Sequence, residues 1–278
     1  MANLDKVAFV SMDVESFYDT GCVKGKKVTV DSKYNCAKEI AKFSKFLCKY
    51  GIKATFFVTV SFLNEAKDFL LEAIKDGHEI GLHCFEHEKI NRYSIEEFEE
   101  MIVKSKEEIK KVLGVEPTGF RAPCYRINIA FLDVLAKHGF KFDSSVTKPN
   151  KKEFQKITDT VYFGHNIYEF IPVRKVLLGK EILLSGGGYV RLLPRKEIMR
   201  VIKKYIESHN GYMLYLHPFE ISDDSLPVPK NILLMQKAYI KYGRKEYLDR
   251  VEEIFKYLLD NGYQFDSMGN YINNLPNS

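Results

Sequence analysis

Short apolar runs alternate with helical hydrophobic periods along almost the whole chain, and most of the helical periods close at a glycine. Val7-Ala8-Phe9-Val10, within residues 6–12, reads as a buried strand. Beyond Asp31-Ser32, apolar residues fall at Cys36, Ile40, Phe43 and Leu47, one face of a helix that Gly51 ends. Residues 54–60 (ATFFVTV) form the next strand, and a helix through Ala66, Phe69, Leu70 and Ala73 stops at Gly77. A third strand covers 78–83. Ser94 and Glu97 then form a capping box that opens a helix running through Ile109 to Gly114. Strands at 119–122 and 140–144 flank a helix over 130–138 that ends at Gly139. The stretch 146–190 is less regular, with room for a hairpin. A helix at 195–208, a strand at 212–217, a helix at 248–258 and a strand at 263–267 complete the pattern, and 221–243 reads as a surface excursion.

Strand–helix units repeating every ~25–40 residues call for parallel strands joined by crossover helices. Seven or eight such strands in 278 residues suit a closed or nearly closed β/α barrel better than an open sheet. No shift in composition marks a boundary, so residues 1–278 are expected to be one domain. The net charge of +5 is spread over scattered lysines with no basic run between aromatics, which argues against a nucleic-acid partner. No apolar stretch reaches the roughly 18 residues that a membrane span needs. The N-terminal residues show no leader pattern. The five cysteines, odd in number and without a CxxC pair, read as reduced thiols. The expectation is a cytoplasmic protein, with an attraction to the inner face of the membrane left open.

In a parallel barrel the reactive groups gather where the strands end at their carboxyl side. Asp13 and Glu15 follow the first strand, His83 and His87 the third, and Arg121 the fourth. Asp143 closes the fifth, and His217 closes the strand before Pro218. Two imidazoles four residues apart with a separate carboxylate are the donors of an open zinc-type site. The HxxxH spacing is weak alone, and its convergence with five other polar groups on one rim carries the argument.

In order, these segments are Ser11-Met12-Asp13-Val14-Glu15, His83-Cys84-Phe85-Glu86-His87, Arg121-Ala122-Pro123-Cys124-Tyr125, Asp143-Ser144-Ser145 and Leu216-His217-Pro218. The series resembles the motifs of the polysaccharide deacetylases, the NodB-homology carbohydrate esterases, over roughly residues 6–221. Ser185-Gly186-Gly187-Gly188-Tyr189-Val190-Arg191-Leu192-Leu193-Pro194, with His217-Pro218-Phe219-Glu220-Ile221, is similar to the branch found in exopolysaccharide and exosortase-associated gene clusters. The C-terminal helices and strand at 222–278 lie beyond the motifs.

The resemblance implies a distorted (β/α)7 barrel and hydrolysis of an N-acyl group, usually N-acetyl, on an amino sugar in surface-glycan synthesis. It matches Asp13 to the general base and Arg121 to the residue that orients it. Glu15, His83 and His87 match the ligands of a divalent metal, zinc first, with cobalt, iron, manganese or nickel as alternatives. His217 matches the catalytic acid and Asp143 the carboxylate that pairs with it. Cys124 matches the residue whose backbone N–H helps form an oxyanion hole, with Tyr125 beside it facing substrate. Tyr189 and Arg191, after three glycines, are expected to contact sugar hydroxyls or a phosphate. The chain departs from the family in spacing Asp13 from Glu15 by one residue, in using the longer Glu, and in having Cys124 where many members have Tyr. The expected partner is an N-acylated saccharide, lipid- or nucleotide-linked. Two other readings remain: a deformylase or allantoinase-like amidohydrolase on the same fold, and a metal-free glycan-binding barrel.

Overall fold

The structure, a computed structural model, describes residues 6–275 except 22, 26–33, 178 and 230. Strand β1 (Val7–Val14) is followed by helix α1 (Lys38–Cys48), β2 (Thr55–Val58), α2 (Val60–Lys75), β3 (Glu79–Leu82) and α3 (Ile95–Leu113). Then come β4 (Gly119–Phe120), α4 (Ala130–Lys137) and β5 (Phe142–Asp143). Short antiparallel strands β6 (Gln155–Lys156), β7 (Val161–Gly164) and β8 (Ile167–Phe170) follow, with a two-stranded ribbon of β9 (Arg174–Leu177) and β10 (Lys180–Leu183). The chain ends with α5 (Gly187–Leu192), α6 (Arg195–Ile206), β11 (Gly211–Leu216), α7 (Leu234–Lys241), α8 (Tyr247–Asp260), β12 (Gln264–Asp266) and α9 (Met268–Asn273).

Seven strands pair in parallel in the order β11-β1-β2-β3-β4-β5-β8, and β7 and β6 extend β8 in antiparallel fashion. This is the distorted (β/α)7 barrel the motifs imply. β12 pairs with the first residues of β1, below the point where β2 takes over.

Side-chain alternation sorts every strand into two faces. In β1, Ala8, Val10, Met12 and Val14 join the large core between sheet and helices. Val7 and Phe9 turn the other way, into a second cluster with Phe57, Phe142, Phe170 and Met213 that fills the inside of the curl. The Phe9 and Phe170 rings meet edge to face at 4.8 Å. Glycine makes room for this filling. A Cβ at Gly119 would stand 2.0 Å from the Phe142 ring, and one at Gly81 would stand 2.6 Å from that of Phe57. Each such ring taken from water is worth about 2 kcal/mol. Met268 and Ile272 of α9 close this end, and Met268 N donates to Thr55 Oγ1 (3.2 Å).

The hydrophobic periods find the strands and long helices, with ends shifted by a few residues. Three short helices lie outside the sequence reading: the excursion at 221–243 contains α7, α9 follows the last strand, and the glycine run Gly187-Gly188 opens α5. Glycine is poor in helices on propensity grounds, so its presence there has a packing cause, described below.

Candidate active site at the carboxyl end of the sheet

The inner face of β1 changes from apolar to polar as it climbs: Val7 and Phe9, then Ser11 and Asp13, then Glu15 just past the strand. The spacing of two residues between Asp13 and Glu15 therefore puts both carboxylates on one side. Arg121 reaches across from the end of β4 without exposure to solvent. Its Nη1 donates to Asp13 Oδ1 (2.5 Å) and Ser11 Oγ (2.9 Å), and its Nη2 to Ser144 Oγ (2.9 Å). The guanidinium lies over the Phe57 ring, 4.2 Å from its centroid. Polar rim and aromatic filling thus meet at one residue.

Glu15, His83 and His87 bring one ligand atom each to within 4.8 Å of one another, all three buried. Glu15 Oε2 lies 2.9 Å from His87 Nε2 and 3.6 Å from His83 Nε2. Neither ring N–H is aligned on it, and Oε2 is buried without a hydrogen-bond donor. His83 Nδ1 sits 2.7 Å from the carbonyl of Arg121 and carries the ring proton there, which turns the Nε2 lone pair toward the carboxylate. Two electron-rich atoms facing each other in a buried pocket fit a cation between them. The extra methylene of Glu15 does not remove it from the cluster. In a second cluster, Cys48, Asp76 and His78, two of the three groups already have hydrogen-bond partners. His78 Nδ1 accepts from Ala54 N (3.2 Å), its Nε2 meets Ser44 Oγ (3.0 Å), and Ser44 donates to Asp76 (2.5 Å). Burial lowers the His78 pKa to about 4, so the ring is neutral.

His217, just past β11, completes the pocket. Its Nε2 lies 4.0 Å from Asp13 Oδ2 and 3.9 Å from Glu15 Oε1. Burial alone would lower its pKa, but the hydrogen bond to Glu220 and the charges of Glu15, Glu220 and Asp13 push it up to about 9. A cavity of about 220 Å³ is lined by Asp13, Glu15, His83, His87, Cys124 and His217, with Tyr125, Tyr215, Phe219 and Tyr239 as aromatic walls. A neighbouring space of about 440 Å³ shares Gly21, His87 and Cys124 with it and adds Asp19, Lys24, Glu88, Lys89 and Arg92. Cys84 and Cys124, beside the Glu15–His83–His87 cluster and at the pocket, hold left-handed backbone (φ 69° and 57°), a conformation that non-glycine residues adopt under constraint.

Two expected roles do not survive the geometry. Asp143 does not pair with His217. Its strand neighbours Phe142 and Ser144 face the interior, so alternation turns Asp143 to the opposite face. There it accepts from Ser145 N (2.9 Å) and Ser145 Oγ (2.6 Å), next to Glu169 of β8. The carboxylate that does meet His217 is Glu220. Its Oε2 accepts from His217 N (3.0 Å) and faces His217 Nδ1 at 3.2 Å. Arg191 is not available to substrate either. It is 1% exposed, with Nη2 3.2 Å from Glu220 Oε1. Tyr189 is 39% exposed on the same helix and is not among the residues lining the pocket. Sequence reasoning missed Glu220, which lies three residues after His217 and accepts from its backbone N–H.

Residues 22–142 match the polysaccharide deacetylase family, and residues 144–273 match a domain of unknown function (DUF3473). With this fold and this ordered set of motifs, the chain carries a polysaccharide deacetylase domain over residues 22–142. Its second half marks it as a member of the exosortase-associated branch. Among curated relatives, a peptidoglycan deacetylase from Helicobacter pylori is 32% identical over 107 residues, covering 38% of this chain and 36% of the relative. A peptidoglycan-N-acetylmuramic acid deacetylase, PdaC, from Bacillus subtilis is 35% identical over 82 residues, covering 30% and 18%. The alignments thus span about a third or less of these relatives' own lengths. Among solved structures, a polysaccharide deacetylase homologue from Mycobacterium smegmatis superposes with a TM-score of 0.61 at 15% identity, over 98% of this chain and 91% of that one. A CE4 family pseudoenzyme from Bacillus anthracis gives 0.57 at 10% identity, over 96% and 65%. The fold is therefore shared by proteins described as deacetylases and by one described as a pseudoenzyme, and the side chains must decide between them. Among the described residues, no helix is long and apolar enough to cross a membrane.

Proposed function

We propose that this chain is a metal-dependent N-deacetylase that hydrolyses the acetamido group of an amino sugar in surface-glycan synthesis. The observation that carries the reading is one small pocket lined by the Glu15–His83–His87 cluster, Asp13 and His217 together, with Arg121 paired to Asp13 behind it. A divalent cation held by Glu15, His83 and His87, zinc first among the candidates, would supply Lewis acidity toward an acyl carbonyl and acidify water.

The chain's own residues divide the proton work. Arg121 takes Asp13 Oδ1 and leaves Oδ2 turned toward the pocket and His217. Asp13 removes a proton from the attacking water as the C–O bond forms. The Cys124 N–H is the proposed donor to the oxyanion, a contact worth about 3 kcal/mol in comparable sites. His217, charged at neutral pH, gives its Nε2 proton to the nitrogen as the C–N bond breaks, so acetate and a free amine leave. Tyr125, Tyr215, Phe219 and Tyr239 offer flat surfaces to a sugar ring. The adjoining space, with Lys24, Lys89 and Arg92 at its edge, suits the remainder of a lipid- or nucleotide-linked saccharide.

The test is acetate release from a panel of N-acetylated amino sugars, free and nucleotide- or lipid-linked, by zinc- or cobalt-loaded protein. Asp13→Asn is expected to lower kcat by about 10³-fold, and His83→Ala to lose one equivalent of bound metal. No acetate across the panel, together with His83→Ala binding as much metal as the native chain, would overturn the reading in favour of a glycan-binding barrel.

A further inference from the structure

We propose that Arg191 and Glu220, both in the half of the chain matched only by a domain of unknown function, are positioning residues for the proton donor His217. The inference rests on the hydrolase reading above for the identity of the proton donor.

Glu220 grips His217 at two points, its backbone N–H and its ring Nδ1, through one oxygen. That fixes the ring both in position and in which nitrogen faces the pocket, because an imidazole tied at Nδ1 presents Nε2. The other oxygen of Glu220 faces Arg191, 3.2 Å from Nη2 and 3.4 Å from Nε. Arg191 spends its remaining donors on the chain just beyond the pocket. Nη2 donates to Tyr239 O (2.6 Å) and Nη1 to Tyr242 O, and the guanidinium lies over the Tyr239 ring at 5.0 Å. Tyr239 is itself a wall of the catalytic cavity. The chain of contacts therefore runs from the pocket wall through Arg191 and Glu220 to His217.

The glycine run belongs to the same device. A Cβ at Gly187 would stand 2.3 Å from Glu220 Oε2 and 2.7 Å from the Tyr247 hydroxyl, and one at Gly188 would stand 2.5 Å from the Tyr239 ring. At Gly243, with φ +72°, a Cβ would stand 2.5 Å from Arg191 O. Three glycines thus let α5 sit close enough for its arginine to reach Glu220. Apolar side chains would fill this space more stably, since a fully buried ion pair seldom outperforms a hydrophobic replacement. Keeping a charged, fully hydrogen-bonded pair there points to the geometry it imposes on His217. A planar fork that binds a carboxylate and two carbonyls at once suits that task better than a lysine.

The deciding variant is the double replacement Arg191→Met with Glu220→Leu, beside the single Glu220→Gln. The double variant removes both charges, so it keeps or regains thermal stability if the pair is only structural. The positioning role predicts that it folds with native thermal stability and native metal content, yet shows kcat reduced about 10–100-fold with KM within twofold. Glu220→Gln, which keeps the shape and loses the charge, is expected to fall in the same direction. A second readout needs no turnover. In metal-free protein, the ¹⁵N-labelled imidazole spectrum should show a protected Nδ1 proton, assigned to His217 by its loss in His217→Gln, that disappears in the double variant. Native kcat in the double variant, or an unchanged Nδ1 signal, overturns the proposal. If native protein shows no turnover on any substrate, the hydrolase reading fails while the spectrum still decides whether the pair positions the ring.

Discussion

Glu220 and Asp143 are both carboxylates without solvent exposure, one in the turn of helix after β11 and the other closing β5. Their surroundings make them opposites. Glu220 lies between a guanidinium and an imidazole. Burial would raise its pKa, but the His217 hydrogen bond and the Arg191 charge outweigh burial and hold it below the usual carboxylate range. Asp143 meets a second acid, Glu169, and among the described residues neither has a cation within ion-pair distance. Burial, eased by hydrogen bonds from Glu169 and Ser145, leaves Asp143 at about 6, and burial with the Asp143 charge pushes Glu169 well above its usual value. The two acids share a proton, as close carboxylates in a dry site must. Equal burial therefore gives an ionised carboxylate in one place and a protonated pair in the other, and the neighbouring charge decides which.

The sharpest way to break this comparison is to neutralise each acid in turn. Glu220→Gln should lower kcat about 10–100-fold, as removal of a partner that orients a catalytic group does. Asp143→Asn, facing away from the pocket, should leave kcat within threefold. Steady-state kinetics at saturating substrate measures both, and equal losses would erase the distinction drawn here.

The sequence made much of this site legible, and its limits have identifiable causes. Ligands and base are local to strand ends, so the strand pattern plus the order of motifs located Asp13, Glu15, His83, His87, Arg121 and His217 on one rim. The motif order pairs Asp143 with the wrong partner because its strand is two residues long. A stretch so short shows no alternation of its own, and only its neighbours Phe142 and Ser144 reveal which way it faces. Glu220 is close to His217 in sequence, yet nothing local distinguishes it from a surface acid until Arg191 arrives from a different segment. The glycine run gives no helical signal because the residues that require its glycines, Glu220 and Tyr239, lie roughly 30 to 50 residues downstream. α7 lacks a strong apolar stripe, since only Ile240 is fully buried, and period counting has little to find there.

A smaller effect tests how the acid pair is held. Ser145 Oγ donates to Asp143 Oδ1 (2.6 Å) and accepts from Ala122 N (2.7 Å), tying the pair to the Arg121 segment. Ser145→Ala leaves a buried N–H and a buried carboxyl oxygen each short of a partner. The expected loss is about 2 kcal/mol of stability, or roughly 4–8 °C in Tm for a chain of this size, with kcat little changed. A calorimetric scan reads the first and kinetics the second. A large fall in kcat at native Tm would mean that the pair acts on catalysis through Arg121.

The mildest test uses pH and separates the two carboxylates by sign. The folded Asp143–Glu169 pair keeps its shared proton at a pH where the unfolded chain, with carboxyls near 4, has released it. Their contribution is therefore fully present below about pH 4 and declines as pH rises through about 6 and beyond, because the folded state must either keep the proton against a falling proton activity or bury a charge. Glu220 has the reverse sign. Its folded pKa is lowered, so its contribution is present at neutral pH and is lost as pH falls below the ordinary carboxyl range. Glu169→Gln removes the shared proton and lets the amide donate to an ionised Asp143. Urea unfolding at pH 5, 6, 7 and 8 should then show the native chain losing about 1–2 kcal/mol relative to the variant across that range, with the two curves converging toward pH 5. Parallel curves would mean that Asp143 and Glu169 are not joined by a proton, and that the contrast with Glu220 lies in geometry alone.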